Sequence, residues 1–371
     1  MPSTCERGAV KSGLTRAALA FSLLCAALLT GLPAAATQER VRPRRASQTQ
    51  ETKPAQGTAE TDVDEDEVVR INSSEVLLPV TVRDAGGQLV TGLKREDFRV
   101  LEEGKEQPLS DLALRQVPVD VALLVDSSSS VAASFEDFRR AADEFAGRLT
   151  PEDRFSLVKF DDRVELLLDW TRSRLQLRRA LRRLSMGVFT RFNDALLLTA
   201  REQFGARQRR RALVVLSDGI DSGRGASTSE AALLAVLETQ VTVYVIANTE
   251  IERARKQSEL DNLLAGSDSS VRFNELRIGD LREALRVLDA SERALERLTN
   301  STGGRLYKPR DFTSLDRVYG EIAEELRSQY ALYYTPTDHA RDGRFRRVRV
   351  ETPRRNTLQV HARVGYYAPR G

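Results

Sequence analysis

The sequence has few of the side chains on which disulfide frameworks, zinc clusters and catalytic triads depend. Its 371 residues include two cysteines, Cys5 and Cys25, and two histidines, His339 and His361. A zinc cluster, or a triad of serine, histidine and aspartate, therefore has few candidates. The sequence also contains no Gly-Lys-Ser/Thr phosphate loop and no Gly-x-Ser-x-Gly nucleophile elbow. These absences argue against an enzyme.

An excess of charge of one sign is also lacking. The 57 basic residues nearly balance the 54 acidic ones, which leaves a formal net charge of +3. A dedicated nucleic-acid-binding protein usually has a more lopsided charge, so we expect no nucleic-acid partner. The hydrophobic content of 41% is normal for a soluble globular protein. The length allows one large domain with smaller appendages.

Residues 1–36 have the three parts of a signal peptide. Arg7, Lys11 and Arg16 supply positive charge, residues 17–29 form an apolar stretch, and residues 34–36 are small residues suited to cleavage. The apolar stretch is shorter than the roughly 20 residues that span a membrane. We therefore predict export to the periplasm or the extracellular space, with no transmembrane segment in the mature chain.

A membrane anchor and a lipoprotein are the alternatives for this segment. Acylation of Cys25 requires small residues just before the cysteine, whereas Leu23 and Leu24 precede it. Because Cys5 and Cys25 both lie in the segment to be removed, the mature protein would have no thiol and no disulfide. Its stability must then come from packing, helped by any bound metal.

Composition and hydrophobic pattern divide the rest of the chain into four parts. Residues 37–67 are polar, with an acidic end, and predict a disordered linker. Residues 68–115 predict a small β module, residues 117–330 the main domain, and residues 331–371 a C-terminal β ribbon. Because the two β segments are short, we expect them to pack on the main domain or to pair into one small domain.

The main domain alternates strands and helices. Apolar runs predict strands at residues 119–125, 155–160, 212–216 and 241–246. Apolar residues at helical spacing predict helices at 135–149, 174–184, 192–203, 227–237, 280–299 and 311–327. This alternation predicts an α/β fold, with a doubly wound, mostly parallel sheet between layers of helices and small β segments at both ends.

Three polar segments lie at or beside the ends of these strands. The run Asp126-Ser-Ser-Ser-Ser130 follows the first strand, Asp218 follows the strand at 212–216, and Thr190 precedes the helix at 192–203. Open α/β sheets bind ligands at the carboxyl ends of their strands. Each segment alone has an ordinary explanation as a turn, a loop start or a helix cap. Together and in this order, they predict a cation site.

The spacing Asp126-x-Ser128-x-Ser130, with the later Thr190 and Asp218, resembles the metal-ion-dependent adhesion site (MIDAS) of von Willebrand factor type A (VWA) domains. The resemblance extends over residues 117–330 and implies the Rossmann-like VWA fold. All of the five positions of the motif are present.

The outer parts of the chain resemble the bacterial VWFA-related proteins, a group whose activities are largely unassigned. The segments that carry this second resemblance are residues 80–84, 92–98 and 365–369. Together, the two resemblances specify the fold more closely than they specify the biological function.

The hydroxyl and carboxylate groups suit a hard cation such as Mg²⁺, which takes about six oxygen ligands. The MIDAS resemblance implies Mg²⁺, or Mn²⁺ or Ca²⁺, with Ser128 and Ser130 as direct ligands and Thr190 as a direct or water-mediated ligand. Asp126 and Asp218 would act mainly through water and orient the serines. A vacant coordination position could then take an Asp or Glu carboxylate from a protein partner.

We therefore predict an exported, non-enzymatic protein that binds a protein partner through a divalent cation. The alternatives are a structural envelope scaffold, in which the metal only stabilises loops, and a Mg²⁺-assisted hydrolase. The sequence carries no indication of the oligomeric state.

Three other features have two interpretations each. Asp194 and Asp221 are predicted to cap helices or bind loop backbone rather than a metal. The basic cluster at 207–211 is predicted to be a solvated loop, with an anionic surface as the alternative. Five tyrosines near the C-terminus are predicted to pack against their neighbours in sheets, and a recognition surface is the alternative. They are Tyr330, Tyr333, Tyr334, Tyr366 and Tyr367.

Overall fold

The computed structural model describes residues 75–114, 117–128, 135–204, 209–355 and 357–371. These residues belong to one compact unit. The predicted signal peptide and linker, residues 68–74 of the β module, and Ser130 lie outside the described residues. Within the described residues, no helix is both long and apolar enough to span a membrane.

The described residues form strands and helices in an alternating order. The strands are β1 (Val76–Arg83), β2 (Arg99–Glu102), β3 (Lys105–Gln107), β4 (Leu109–Leu114), β5 (Val119–Asp126), β6 (Arg154–Phe160), β7 (Val164–Thr171), β8 (Arg210–Leu216), β9 (Thr242–Ile246), β10 (Leu306–Tyr307), β11 (Tyr330–Tyr334), β12 (Phe345–Glu351), β13 (Gln359–Ala362) and β14 (Gly365–Tyr367). The α-helices are α1 (Phe135–Arg148), α2 (Arg174–Leu181), α3 (Phe192–Gln203), α4 (Ser229–Glu238), α5 (Thr249–Leu264), α6 (Asp268–Phe273), α7 (Glu275–Thr302) and α8 (Leu315–Ser328).

A six-stranded sheet forms the centre of the main domain, with the order β10-β9-β8-β5-β6-β7. Neighbouring strands are parallel except for β7, which pairs antiparallel with β6 at the edge. This confirms the predicted mostly parallel α/β sheet. Strand β7 was not predicted from the sequence. Leu167 is the one hydrophobic residue of β7 that is buried, so this edge strand lacks a clear alternating pattern.

Helices cover both faces of the sheet. One core joins the sheet to α1, α2 and α8, and the other joins it to α3, α4 and α7. Side chains alternate between the two faces along a strand, so Leu123 of β5 enters the first core and Leu124 enters the second. The predicted apolar face of α1 is confirmed, since Phe138 and Phe145 are both fully buried in the first core.

The connection between β9 and β10 contains more helix than the sequence indicated. Only the region of α7 was predicted, and α5 and α6 were missed. Helix α5 buries Leu260 together with Ile278 and Leu281, in a small cluster of their own. Since α5 packs mainly on α7, its apolar stripe is narrow and gives no clear helical period.

The N-terminal and C-terminal β segments form two four-stranded sheets together. Their orders are β13-β1-β11-β4 and β14-β12-β2-β3, so each sheet combines strands from both ends of the chain. Both sheets contribute to one hydrophobic core, in which Leu78, Val80 and Leu332 are fully buried. The four strands of each segment are divided between the two sheets, so neither segment builds a complete sheet alone and the shared core requires both.

The tyrosines of this region pack mostly inside it. Tyr330, Tyr334 and Tyr366 are at most 2% exposed and belong to the shared core. Tyr333 and Tyr367 are half-buried. The packing interpretation therefore holds for the three buried rings.

The basic cluster is not a solvated loop in its described part. Arg209 pairs with Asp120, and Arg210, which is 6% exposed, donates hydrogen bonds to the carbonyls of Val117 and Leu326. The loop interpretation is wrong for Arg210 because β8 begins at that residue and takes its side chain into the fold.

Candidate metal centre

Asp126 is the last residue of the central strand β5, and its side chain is fully buried. Its Oδ1 accepts a hydrogen bond from the backbone N–H of Ser128 at 2.9 Å, and the Ser128 side chain also hydrogen-bonds to the carboxylate. Its Oδ2 accepts from the hydroxyl of Ser217 at 2.7 Å. The carboxylate is therefore fixed by donors from two neighbouring strand ends.

Asp218 lies just past the end of β8 and is 8% exposed. Its Oδ1 accepts from the backbone N–H of Ile220 at 3.0 Å, and its carbonyl accepts from the Ser291 hydroxyl on α7 at 2.5 Å. The next residue, Gly219, has a φ of +71°, and a Cβ there would lie 2.7 Å from Leu295. Glycine thus lets this loop turn tightly against α7.

Thr190 lies on a loop that is fastened to both other segments. Its carbonyl accepts hydrogen bonds from the backbone N–H and the hydroxyl of Ser222, at 2.9 and 2.8 Å. The backbone N–H of Gly187 donates to the carbonyl of Ser127 at 3.0 Å. The loop that contains Thr190 is therefore held beside both the Asp126 and the Asp218 segments.

A buried acid supports this arrangement from behind. Asp161 accepts hydrogen bonds from the Ser127 hydroxyl at 2.9 Å and from the Lys159 ammonium at 2.8 Å. A Cβ at Gly187 would lie 2.3 Å from the Cβ of Asp161, so only glycine fits there. Asp161 thus fixes both the residue after Asp126 and the loop of Thr190.

The two strand-end carboxylates differ from Asp161 in their electrostatics. Burial raises the pKa of Asp126, and hydrogen bonds from Ser128 and Ser217 offset only part of that effect. Burial and the nearby charge of Asp126 raise the pKa of Asp218 to about 7. The pKa of Asp161, although burial raises it, is lowered overall because Lys159 and other donors stabilise the charged form.

The other two acids have no comparable counter-ion among the described residues. Neither Asp126 nor Asp218 forms an ion pair there, although both are buried, and the charge of Lys256 lowers the pKa of Asp218 by less than burial and Asp126 raise it. Two buried carboxylates without a counter-ion are costly to ionise. A divalent cation bound between the strand ends would supply the missing positive charge.

Asp194 and Asp221 hold backbone rather than facing the centre. Asp194 accepts from the backbone N–H groups of Ala226 and Ser227 and pairs with Arg191 at 2.5 Å. Asp221 accepts from the N–H of Asn193, near the start of α3, at 2.9 Å, and from that of Gly223 at 2.7 Å. Both acids act in loop and helix-end hydrogen bonding, as predicted.

The structure brings most of the predicted motif together. Asp126 and Ser128 are hydrogen-bonded, Asp218 follows the serine that binds Asp126, and Thr190 lies on the adjoining loop. Ser130 lies outside the described residues. These residues offer hydroxyl and carboxylate oxygens, which fit Mg²⁺. The described residues contain no cluster of three or more His, Cys, Asp or Glu side chains suited to a metal.

The sequence analysis gave no role to Ser217 and Asp161, although both hold the centre in place. Ser217 had a signal, because it lies at a strand end next to Asp218. Asp161 had a weaker one, since it follows a strand but stands in an ordinary turn sequence.

The comparisons with known proteins agree with this geometry. Residues 121–220 match the von Willebrand factor type A domain family. The chain therefore contains a VWA domain, and this match begins in β5 and ends just after Asp218. A comparison with curated proteins finds no match.

Several solved structures are similar to the chain. The vWF domain of the type V pili tip protein Mfa5 from Porphyromonas gingivalis is 25% identical, with coverage of 28% of this chain and 39% of that one and a TM-score of 0.27. A von Willebrand factor type A protein from Catenulispora acidiphila is 14% identical, with coverage of 68% of this chain and 50% of that one and a TM-score of 0.41. Proximal thread matrix protein 1 from the mussel byssus, in a structure with a zinc-occupied MIDAS motif, is 15% identical. The match covers 61% of this chain and 49% of that one, with a TM-score of 0.40.

The chain thus spans half or less of the length of these three proteins. Because all three TM-scores are below 0.5, the identification of the domain rests on the family match and on the sheet topology.

Proposed function

We propose that the VWA domain binds a divalent cation and uses it to bind a carboxylate of a protein partner. The cation is Mg²⁺, or Mn²⁺ or Ca²⁺ in its place, and the proposed ligand set is Asp126, Ser128, Ser130, Thr190 and Asp218. The observation that supports this best is the pair of buried acids, Asp126 and Asp218, which form no ion pair with any described residue and whose pKa values are raised by burial.

The residues of the centre have distinct parts in this proposal. Ser128 and Ser130 offer neutral hydroxyl oxygens, and Thr190 offers a third from the neighbouring loop. Asp126 accepts from both the backbone and the side chain of Ser128, which keeps that serine in one orientation. Because few of the direct ligands are charged, the bound cation keeps its affinity for an additional anionic oxygen.

The additional oxygen is proposed to come from an Asp or Glu side chain of the partner. The loop with Thr190 also carries exposed apolar side chains, since Met186 is 65% and Val188 is 75% exposed. Exposed apolar groups beside a charged centre are typical of a protein-binding surface rather than of a small-ion store. No general base is required in this mechanism, and we propose a non-enzymatic role.

We further propose that the protein is exported and acts in the periplasm or outside the cell. This rests on the signal-peptide pattern of residues 1–36. The scaffold function, in which the cation only stabilises loops, is the second candidate. It would use the same ligands without a partner carboxylate.

The test of cation binding is a melting curve of the purified protein in EDTA and in Mg²⁺ or Mn²⁺. Binding to the folded state raises the melting temperature in proportion to ln(1 + [L]/Kd). We expect such a rise for the wild type and none for Asp126→Asn. Asp120→Asn is the matched control, because Asp120 is a buried aspartate at the opposite end of the same strand. Its melting temperature should rise with the cation as in the wild type.

Selection of displayed random peptides on the protein in Mg²⁺, with elution by EDTA, separates the two candidate functions. Partner binding predicts enriched peptides in which replacing one Asp or Glu with its amide abolishes binding. A scaffold predicts a cation-dependent melting temperature without any enrichment of acidic peptides. Absence of a melting shift in the wild type would overturn both candidates.

A further inference from the structure

Asn248 is a fully buried residue between β9 and α5 whose amide has no partner. Its side chain is 0% exposed, and neither its Oδ1 nor its Nδ2 atom has a hydrogen-bond partner among the residues that the structure describes. Burying an amide without a partner costs on the order of 1–3 kcal/mol, so such groups are few in native structures. The residue therefore requires an explanation other than packing.

Helix capping does not supply that explanation. Asn248 stands directly before the first residue of α5, where an asparagine side chain commonly accepts a hydrogen bond from the helix backbone. In this structure its side chain makes no capping hydrogen bond. An apolar residue would fill the same volume at a lower cost in unsatisfied polar atoms.

The position of Asn248 in the sheet puts it beside Asp218. Strands β8 and β9 are parallel, with Leu216 opposite Ile246, and the N–H of Ser217 donates to the Ile246 carbonyl at 3.3 Å. Strand β8 ends at Leu216 and β9 ends at Ile246, and Asp218 and Asn248 each lie two residues past these ends. The parallel pairing therefore brings both residues to the same carboxyl edge of the sheet.

The first turn of α5 carries a charge that acts on Asp218. The N–H of Glu252 donates to the Asn248 carbonyl at 3.1 Å, so the two residues are one helical turn apart. The charge of Glu252 contributes to the raised pKa of Asp218, after burial and the charge of Asp126. Asn248 thus lies two residues after the end of β9 and one helical turn before Glu252, whose charge acts on Asp218.

We propose that Asn248 is a positioning residue of the cation site. With the cation bound, its amide oxygen would accept a hydrogen bond from a water ligand of the cation, and its amide nitrogen would donate to the Asp218 carboxylate, a hydrogen bond that the described structure does not contain. This inference rests on the proposed function. It adds a strand end, that of β9, to a centre that the motif assigns to other segments.

An amide suits this position better than a charged group. A carboxylate would be a further buried negative charge beside Asp126 and Asp218, and an ammonium group would compete with the cation. Only a neutral group with both a donor and an acceptor can serve a carboxylate and a metal-bound water together.

The test is a calorimetric titration of the purified protein with Mn²⁺, using the wild type, Asn248→Leu and Ser156→Ala. Ser156 is the matched control because its hydroxyl is also buried without a partner, near the opposite end of β6 from the centre. We expect Asn248→Leu to bind Mn²⁺ about tenfold more weakly. We expect Ser156→Ala to bind as the wild type does.

The melting temperature in EDTA separates a positioning role from a structural one. Because Asn248→Leu removes an unpartnered buried amide, its melting temperature in EDTA should equal or exceed that of the wild type. Wild-type Mn²⁺ affinity in Asn248→Leu would overturn the inference and leave the proposed function intact. No Mn²⁺ binding by the wild type would overturn both. If the leucine variant does not fold, Asn248→Ala is titrated and interpreted in the same way.

Discussion

The two ends of strand β5 carry the same residue type in opposite electrostatic settings. Asp120 near its start is 6% exposed and Asp126 at its end is fully buried. Asp120 forms ion pairs with Arg154 and Arg209, the latter at 2.7 Å. Asp126 accepts hydrogen bonds from a backbone N–H and from hydroxyl groups.

Under the proposed function, this difference separates an acid that stabilises the fold, Asp120, from an acid that binds a cation, Asp126. The chain supplies its own counter-charges at the amino end of the sheet, and the fold is complete there. At the carboxyl end it buries a second acid, Asp218, next to the first and supplies hydroxyl oxygens in place of a cation. A buried acid near such oxygens is stabilised when a divalent cation arrives from solution.

The largest expected effect comes from removing the charge at the amino end. Asp120→Asn leaves Arg154 and Arg209 without their carboxylate, so we expect the free energy of unfolding to fall by about 3 kcal/mol. The loss should be the same in EDTA and in Mg²⁺. Urea unfolding at pH 8 measures it. Asp126→Asn should not be destabilised in EDTA, because it removes a buried negative charge that lacks a counter-ion.

The opposite order of stabilities would contradict this comparison of Asp120 with Asp126. If Asp126→Asn were the less stable of the two variants in EDTA, the carboxylate of Asp126 would serve folding itself. The buried pair of acids would then be no argument for a cation.

The next largest effect is a pH dependence of stability, which we expect from the acids at the carboxyl end of the sheet and not from Asp120. The folded-state pKa of Asp218, about 7, is above its ordinary value of 3.8, so the folded protein binds this proton more tightly than the unfolded chain. Stability in EDTA should therefore fall as pH rises from about 4 to 7 and level off above that. Thermal unfolding across this range measures the slope.

Saturating Mg²⁺ should reduce this fall, because the cation replaces the proton on the carboxylate. For the same reason the affinity for the cation should increase up to about pH 7. Asp218→Asn is the control and should flatten the profile in EDTA. An unchanged slope in that variant would assign the titration to another group.

The smallest effect compares two serine hydroxyls on neighbouring segments. The hydroxyl of Ser217 donates to Asp126, and that of Ser127 donates to Asp161. Each alanine substitution should cost about 1 kcal/mol of stability. Only Ser217→Ala should weaken Mn²⁺ binding, by a few-fold, since Asp161 already has Lys159 as its counter-ion. Equal Mn²⁺ affinity in the two variants would contradict this distinction, and calorimetry decides it.

Much of the fold could be predicted from the sequence because its signals are local. The strands β5, β6, β8 and β9 are short apolar runs, and α3 has residues at helical spacing within the predicted bounds. The elements that were missed have weak local signals. Strand β7 is an exposed edge, and α5 packs on another helix rather than on the sheet.

The candidate site was predictable for a related reason. A motif with fixed spacing at a strand end indicates both a residue type and its position in the fold. Asn248 had no comparable signal, because an asparagine before a helix is ordinary in sequence. Its missing cap and missing partners are properties of the folded chain.

The sequence by itself determined the alternation of four of the central strands with helices and the presence of a cation motif at the strand ends. Only the tertiary structure decided which buried acids have counter-charges. Asp120 meets Arg154 and Arg209 across 34 and 89 residues of sequence, and Asp126 meets Ser217 across 91. Such pairs depend on strand order and register, which bring distant segments together, whereas periodicity and turn chemistry act between near neighbours in the chain.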